Sequence, residues 1–133
     1  MSKVRQLFSV IVIAYTTVMA VQVSAGMADV IGVDLRYNGD NNFQIITTLA
    51  HADTGWQHYA NEWQVLDESG KVIGRRVLHH PHVNEQPFSR SHTLDIPISV
   101  NIITIRGTDS IHGIGGGEMS IKLVREIKTS TNK

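Results

Sequence analysis

The stretch N-F-Q-I-I-T-T-L-A-H, residues 42–51, decides the fold class. Every second residue of the first eight is large and apolar or β-branched: Phe43, Ile45, Thr47 and Leu49. Alternate side chains of a β-strand share a face, so this spacing predicts a strand with one buried face. The other face includes Ile46 among polar neighbours, which predicts that it is partly covered as well. Such a strand needs a second layer to pack against.

Six further segments have the same character, and turn sequences such as N-G-D at 38–40 and D-E-S-G at 67–70 separate them. They are residues 30–37, 63–66, 71–78, 88–96, 102–108 and 118–124. About seven short strands in roughly 100 residues predict an all-β fold, a two-sheet sandwich of the immunoglobulin or fibronectin-III type. A small β-barrel is the alternative. Residues 54–62 could form one helical turn at most.

The predicted core takes the apolar residues that lie at alternating positions in these strands. They are Val33, Leu35, Ile45, Leu49, Trp63, Val65, Val77, Leu94, Ile103, Ile105 and Ile121. The domain is predicted to span residues 26–127. The polar end, residues 128–133, is predicted to be a flexible tail.

The first 25 residues have the pattern of a secretory signal peptide. Lys3 and Arg5 precede a mostly apolar run over residues 7–21, and small residues at 23–25 suit a signal peptidase. The apolar run is short for a membrane span, so the alternative of an uncleaved anchor is less favoured. Cleavage after Ala25 would leave 108 of the 133 residues, the size of one domain.

Composition excludes several classes of function. Removal of residues 1–25 takes away two basic side chains and no acidic one, so the remaining chain is weakly acidic. This balance predicts neither a nucleic-acid partner nor binding to an anionic membrane once the signal is removed. The absence of cysteine excludes disulfides, thiolate metal sites and cysteine nucleophiles. We therefore expect a periplasmic or secreted protein.

The segment H-H-P-H-V-N-E-Q-P-F, residues 79–88, is the first candidate site. Proline at 81 favours extended geometry for the residue before it, so His80 and His82 should project to the same side. Their Cα atoms would be roughly 6–7 Å apart, and two imidazoles at that spacing can bind one metal ion. The alternative is that these histidines only make hydrogen bonds that fix the loop.

Two other histidines could complete a metal site. His112 follows a predicted strand in D-S-I-H-G-I-G-G-G, and His58 lies in the loop G-W-Q-H-Y-A. Neutral imidazoles suit copper or zinc. The predicted ligands are therefore His80, His82 and His112, with His58 as a possible fourth.

The sequence favours a binding protein over an enzyme. Ser110 lies near His112 but has no nucleophile-elbow sequence around it, and residues 113–117 do not match a dinucleotide fingerprint. The competing hypothesis is an interaction module whose polar loops bind a periplasmic protein, a peptide or a glycan.

Three blocks carry a resemblance: G-W-Q-H-Y-A at 55–60, H-P-H-V-N-E-Q-P-F-S-R-S at 80–91 and D-S-I-H-G at 109–113. They resemble the signature blocks of a family of small exported proteins of Gram-negative bacteria, over roughly residues 53–124. Ser89 stands where that family more often has threonine. The resemblance implies export and shared histidines at 58, 80, 82 and 112, and it implies no particular activity.

The signal pattern gives the first testable prediction. The exported protein should begin at Gly26 or within two residues of it, which an intact-mass measurement of exported material checks. A mass that still includes residues 1–25 would contradict this.

Overall fold

A computed structural model describes residues 26–127, and the predicted signal peptide and tail lie outside that range. Within it the chain forms eight β-strands and no helix. They are β1 (Asp29–Gly39), β2 (Asn42–Ala50), β3 (Ala60–Leu66), β4 (Val72–Val77), β5 (Phe88–Asp95), β6 (Ile102–Asp109), β7 (Gly113–Ile114) and β8 (Met119–Lys122). The described part therefore contains no helix that could cross a membrane.

The strands form two antiparallel sheets. One has the order β1-β2-β5, and the other has the order β4-β3-β6, with β7 and β8 both paired to β6. The prediction of an all-β, two-sheet fold is confirmed, and the seven predicted segments all contain strands. The barrel alternative is not borne out by the described residues, because their strands form two sheets instead of one closed sheet. The immunoglobulin or fibronectin-III type stays a prediction.

Strand β2 behaves as its sequence predicts. Burial alternates along it, with Phe43, Ile45, Thr47 and Leu49 all buried. Trp63, Ile103 and Ile105, also fully buried, lie on the opposite sheet. These side chains form the centre of the core between the sheets.

One core prediction is wrong. Val77, at the end of edge strand β4, is 47% exposed. It shares the outer face of that strand with Arg75, since alternate residues point the same way. Leu78 is the next residue along the chain, and it is buried in the core.

The pairing brings the site-bearing loops to one end of the sandwich. The C-terminal end of β2 pairs with the start of β5 through Leu49 and Phe88. The start of β3 pairs with the end of β6 through Ala60 and Asp109. The loops 51–59, 78–87 and 110–118 therefore meet at this end, together with residues 26–28.

Alternation along β6 gives the second prediction. Ile103 is fully buried and Ile102, beside it, is 45% exposed. Ile103→Ala should lower the free energy of unfolding by about 2–5 kcal/mol, because it removes packed methyl groups and leaves a cavity. Ile102→Ala should cost about 1 kcal/mol or less. Urea denaturation of both variants measures this, and equal losses would contradict the assigned faces.

Candidate metal centre

A histidine–carboxylate cluster lies where the three loops meet, and it consists of His51, Asp53, His58, Asp109 and His112. His51 and Asp53 follow β2 directly, Asp109 ends β6, and His58 closes a turn that begins at Gly55. The side chains of His51, Asp53 and Asp109 are fully buried.

Asp53 fixes the ring of His51. The Nδ1 atom of His51 lies 2.5 Å from Asp53 Oδ1, a short hydrogen bond. In the neutral ring the proton therefore sits on Nδ1, and Nε2 keeps its lone pair. Among the described residues His51 Nε2 has no hydrogen-bond partner, although it is buried. This nitrogen points toward the carboxylate of Asp109, with 3.6 Å between His51 Nε2 and Asp109 Oδ2.

Asp109 is held rigidly by its own loop. Its Oδ1 accepts the backbone N–H groups of Ile111 and His112, at 2.8 and 2.5 Å. Its Oδ2 lies 3.0 Å from Nδ1 of His112. Burial by itself would raise the pKa of Asp109, but the hydrogen bonds from His112 and Ile111 outweigh it and lower the pKa below its ordinary value. The carboxylate is therefore kept in its ionised form.

His58 faces the same carboxylate from the open side. Its Nε2 lies 3.5 Å from Asp109 Oδ1 and 3.1 Å from the carbonyl oxygen of Gly26, and its side chain is 23% exposed. One ligand atom from each of His51, His58 and Asp109 lies within 4.8 Å of the others. In residues 26–127 this is the group whose geometry could hold a metal ion.

The buried negative charge of the cluster is a second feature that would suit a bound cation. Asp53 accepts hydrogen bonds from the backbone N–H groups of Ala60 and His82, at 3.0 and 2.7 Å, besides the one from His51. Within residues 26–127 neither Asp53 nor Asp109 forms an ion pair with a lysine or arginine. Buried negative charge without a fixed cationic partner is what a bound cation would neutralise.

The structure places the four predicted ligands in two pairs. His58 and His112 lie together, with ring centroids 5.0 Å apart, and both border the cluster. His112 is outside the converging group, and its ring instead orients the carboxylate of Asp109. The loops 78–87 and 110–118, which carry His82 and His112, emerge at the same end of the sandwich.

His80 and His82 form the other pair, with ring centroids 4.7 Å apart. The ring of His82 stacks on Phe88 at 3.9 Å, and its Nε2 lies 2.9 Å from the guanidinium of Arg90. His82 is joined to the cluster through its backbone N–H, which binds Asp53. The geometry supports a structural role for this histidine, and metal binding by His80 and His82 stays a prediction.

Sequence reasoning missed His51, Asp53 and Asp109. The signals are local: His51-Ala52-Asp53 places two polar side chains two residues apart directly after a strand, and Asp109 opens the D-S-I-H block. The sequence analysis looked for histidines in loops, so it considered neither these two carboxylates nor a histidine at the end of a strand.

No family model matches the chain. A protein of Halomicrobium mukohataei described as "Putative lipoprotein" is 38% identical over 94 residues, covering 71% of this chain. The chain spans about half of that relative, 46% of its length.

Two solved structures share 12% identity with this chain. The superoxide reductase (neelaredoxin) from Ignicoccus hospitalis has a TM-score of 0.49 and covers 73% of this chain and 80% of its own. The superoxide reductase (1Fe-SOR) from Giardia intestinalis has a TM-score of 0.43 and covers 71% and 99%. Scores this low give no information about the function of the chain.

The surroundings of His82 give the third prediction. Burial lowers the pKa of His82 from its ordinary value of 6.5, and the positive charge of Arg90 lowers it further. As the pH falls, His82 is therefore protonated in the unfolded chain at a higher pH than in the folded protein. Stability is lost as the pH falls through 6.5 toward the pKa of the folded state.

Urea midpoints at pH 7.5 and about 5.5, below the ordinary histidine value, measure the effect. His82→Gln should reduce the decline seen in the parent protein. His79→Gln, at an exposed position in the same loop, is the matched control and should not. An unchanged decline in His82→Gln would contradict the prediction.

Proposed function

We propose that this protein is an exported β-sandwich that binds one divalent transition-metal ion, copper or zinc, at its histidine–carboxylate cluster. The ligands from the folded core are Nε2 of His51, Nε2 of His58 and the carboxylate of Asp109. Asp53 and His112 hold two of these ligands in orientation.

The observation that carries the proposal is the buried Nε2 of His51, which has no hydrogen-bond partner in the described chain. Leaving a buried polar atom unpaired costs about 1–3 kcal/mol, so such an atom calls for an explanation. Asp53 leaves this nitrogen with a lone pair facing the site. A carboxylate that orients a histidine in this way is the usual outer partner of a metal-bound imidazole.

The distances within the group fit ligands better than hydrogen bonds. His51 Nε2 and His58 Nε2 lie 3.6 and 3.5 Å from the two oxygens of Asp109. Hydrogen bonds of this kind are usually 2.7–3.2 Å, so about 3.6 Å is too long. Two ligands on a tetrahedral ion, each about 2.0–2.1 Å from it, lie roughly 3.3 Å apart. The three ligand atoms lie within 4.8 Å of one another, so the side chains would have to approach one another by up to about 1.5 Å to share one tetrahedral ion.

The kinds of ligand atom limit which metal ions would suit the site. Two imidazoles and one carboxylate, with no sulfur ligand in a chain that lacks cysteine, suit zinc, copper or non-haem iron better than calcium or magnesium. We propose copper or zinc, and a titration series that includes Fe²⁺ separates the three.

Export is supported by two independent observations. The first is the signal pattern of residues 1–25. The second is the description of the Halomicrobium relative as a lipoprotein, since lipoproteins are exported. Location in the periplasm or outside the cell is part of the proposal.

A second candidate function is an interaction module. Trp56, Val83 and Ile111 are all more than half exposed, and each lies next to or near a residue of the site. Exposed apolar side chains that border a polar site are typical of binding surfaces. A periplasmic protein, a peptide or a glycan is the partner class for this candidate.

Metal titration is the fourth prediction. Residues 26–133, stripped with a chelator, should bind one Zn²⁺ or Cu²⁺ and melt at a higher temperature with it. A ligand present at 100 times its Kd stabilises by about 2.7 kcal/mol. His51→Gln and His58→Gln should each weaken binding by roughly 10- to 100-fold or more, since even outer partners of a ligand have effects of that size.

His79→Gln is the matched control, because this exposed histidine lies outside the cluster. His80→Gln and His82→Gln test the other pair in the same assay. If only these two lose affinity, the metal is bound by the loop 78–87 instead. If the parent protein binds no metal, the interaction module becomes the leading function.

A further inference from the structure

The backbone of Gly26 lies against two histidines of the cluster. Its carbonyl oxygen is 3.1 Å from Nε2 of His58. A Cβ atom built at this position would be 2.8 Å from Cε1 and 3.3 Å from Nε2 of His112. Only a glycine can approach the ring so closely, because any other residue would displace it.

The glycine-rich loop 113–117 keeps the segment before β1 in place. Gly117 accepts a hydrogen bond from the N–H of Val30 and donates one to Asp29 Oδ1, at 2.8 and 2.6 Å. A Cβ at Gly116 would overlap the carbonyl of Ala28, and one at Gly115 would be 2.8 Å from Met27 Sδ. Gly115 and Gly116 leave the room that the N-terminal segment needs to pack directly on this loop. Because the residues that follow Gly26 are fixed on this loop, Gly26 itself is held at the site.

Cleavage after Ala25, which the sequence predicts, would convert the peptide nitrogen of Gly26 into a free α-amine. An α-amine and the carbonyl oxygen of the same residue can bind one metal ion together in a five-membered ring. The carbonyl is already 3.1 Å from a proposed ligand, His58 Nε2. That contact is a hydrogen bond, and it keeps the carbonyl oxygen beside the nitrogen that we propose as a ligand.

We propose that signal cleavage completes the metal centre, with the α-amino nitrogen and carbonyl oxygen of Gly26 joining His51, His58 and Asp109. This rests on the proposed function and on cleavage after Ala25. His58 Nε2 donates to the Gly26 carbonyl without metal and must lose that proton to become a ligand, so its ring changes tautomer. The α-ammonium group releases one proton to solvent as it binds.

The consequence is that metal loading depends on export. In the precursor the nitrogen of Gly26 belongs to a peptide bond and has no lone pair to donate. The full ligand set exists only after the signal peptidase has acted. The protein would then take its metal outside the cytoplasm, from the pool present there.

Two forms of the chain test this. One begins at Gly26, and the other keeps the two native residues Ser24 and Ala25. Competition with a chromophoric chelator at pH 7.5 measures the affinity of each form for Cu²⁺ and Zn²⁺. The extended form should bind at least roughly 10- to 100-fold more weakly, since loss of a direct ligand costs no less than loss of an outer partner. It should also release fewer protons on binding.

A spectroscopic measurement separates ligation from a disturbed fold. The form that begins at Gly26 is prepared with ¹⁵N-glycine, and the nitrogen coupling of bound Cu²⁺ is recorded. The amine of Gly26 is the glycine nitrogen able to ligate without loss of an amide proton, so labelling should alter the coupling. Unaltered coupling together with equal affinity of the two forms would overturn the inference.

The results that would refute the role of Gly26 differ from those that would refute the proposed function. If both forms bind equally well and His58→Gln still abolishes binding, the metal site stands and the role of Gly26 is refuted. If neither form binds metal, the proposed function fails, and this inference fails with it.

Discussion

The carboxylate of Asp53 is the contact on which this end of the molecule depends. It accepts hydrogen bonds from His51 after β2, from the N–H of Ala60 at the start of β3, and from the N–H of His82 in the loop before β5. One buried group thus joins both sheets and a long loop. Removing it would leave three buried donors unpaired, and each such donor costs about 1–3 kcal/mol. The same carboxylate determines which nitrogen of His51 is free, so the fold of the loops and the chemistry of the site have a common origin.

The loop 79–88, which carries three histidines, contacts the candidate site through its backbone. Its backbone closes the site through His82 N–H, while the ring of His82 packs on Phe88 and accepts from Arg90. Arg90 also pairs with Glu85, and this hydrogen bond lowers the pKa of Glu85. The Nδ1 atom of His82, like Nε2 of His51, is buried without a hydrogen-bond partner among the described residues. These contacts support a structural role for the loop, and metal binding by His80 and His82 stays a prediction.

The fold was predictable to the extent that it follows from period-two patterns. The spacing of Phe43, Ile45, Thr47 and Leu49 is sufficient for β2, and the same reasoning found every long strand. The prediction of the core failed at β4. This edge strand pairs on one side only, and Val77 lies on its outer face. Of the candidate cluster, the sequence analysis named His58 and His112 because they are histidines in loops, and their role as ligands stays a prediction. His51, Asp53 and Asp109 were missed because they sit at strand ends, where a polar residue normally only marks a turn. Their convergence follows from sheet pairing, which a single sequence does not display.

The exposure of the cluster is uneven, and this asymmetry indicates how an ion would reach it. His51 and Asp109 are fully buried, whereas the side chains of His58 and His112 are 23% and 39% exposed. Gly26 borders both of these partly exposed rings. Three core ligands would leave coordination positions free on a bound ion, and sites that keep such a position open bind water or substrate there. If the amine and carbonyl of Gly26 fill these positions, the site is closed. If they do not, an external ligand can bind there, and the site is a reactive one.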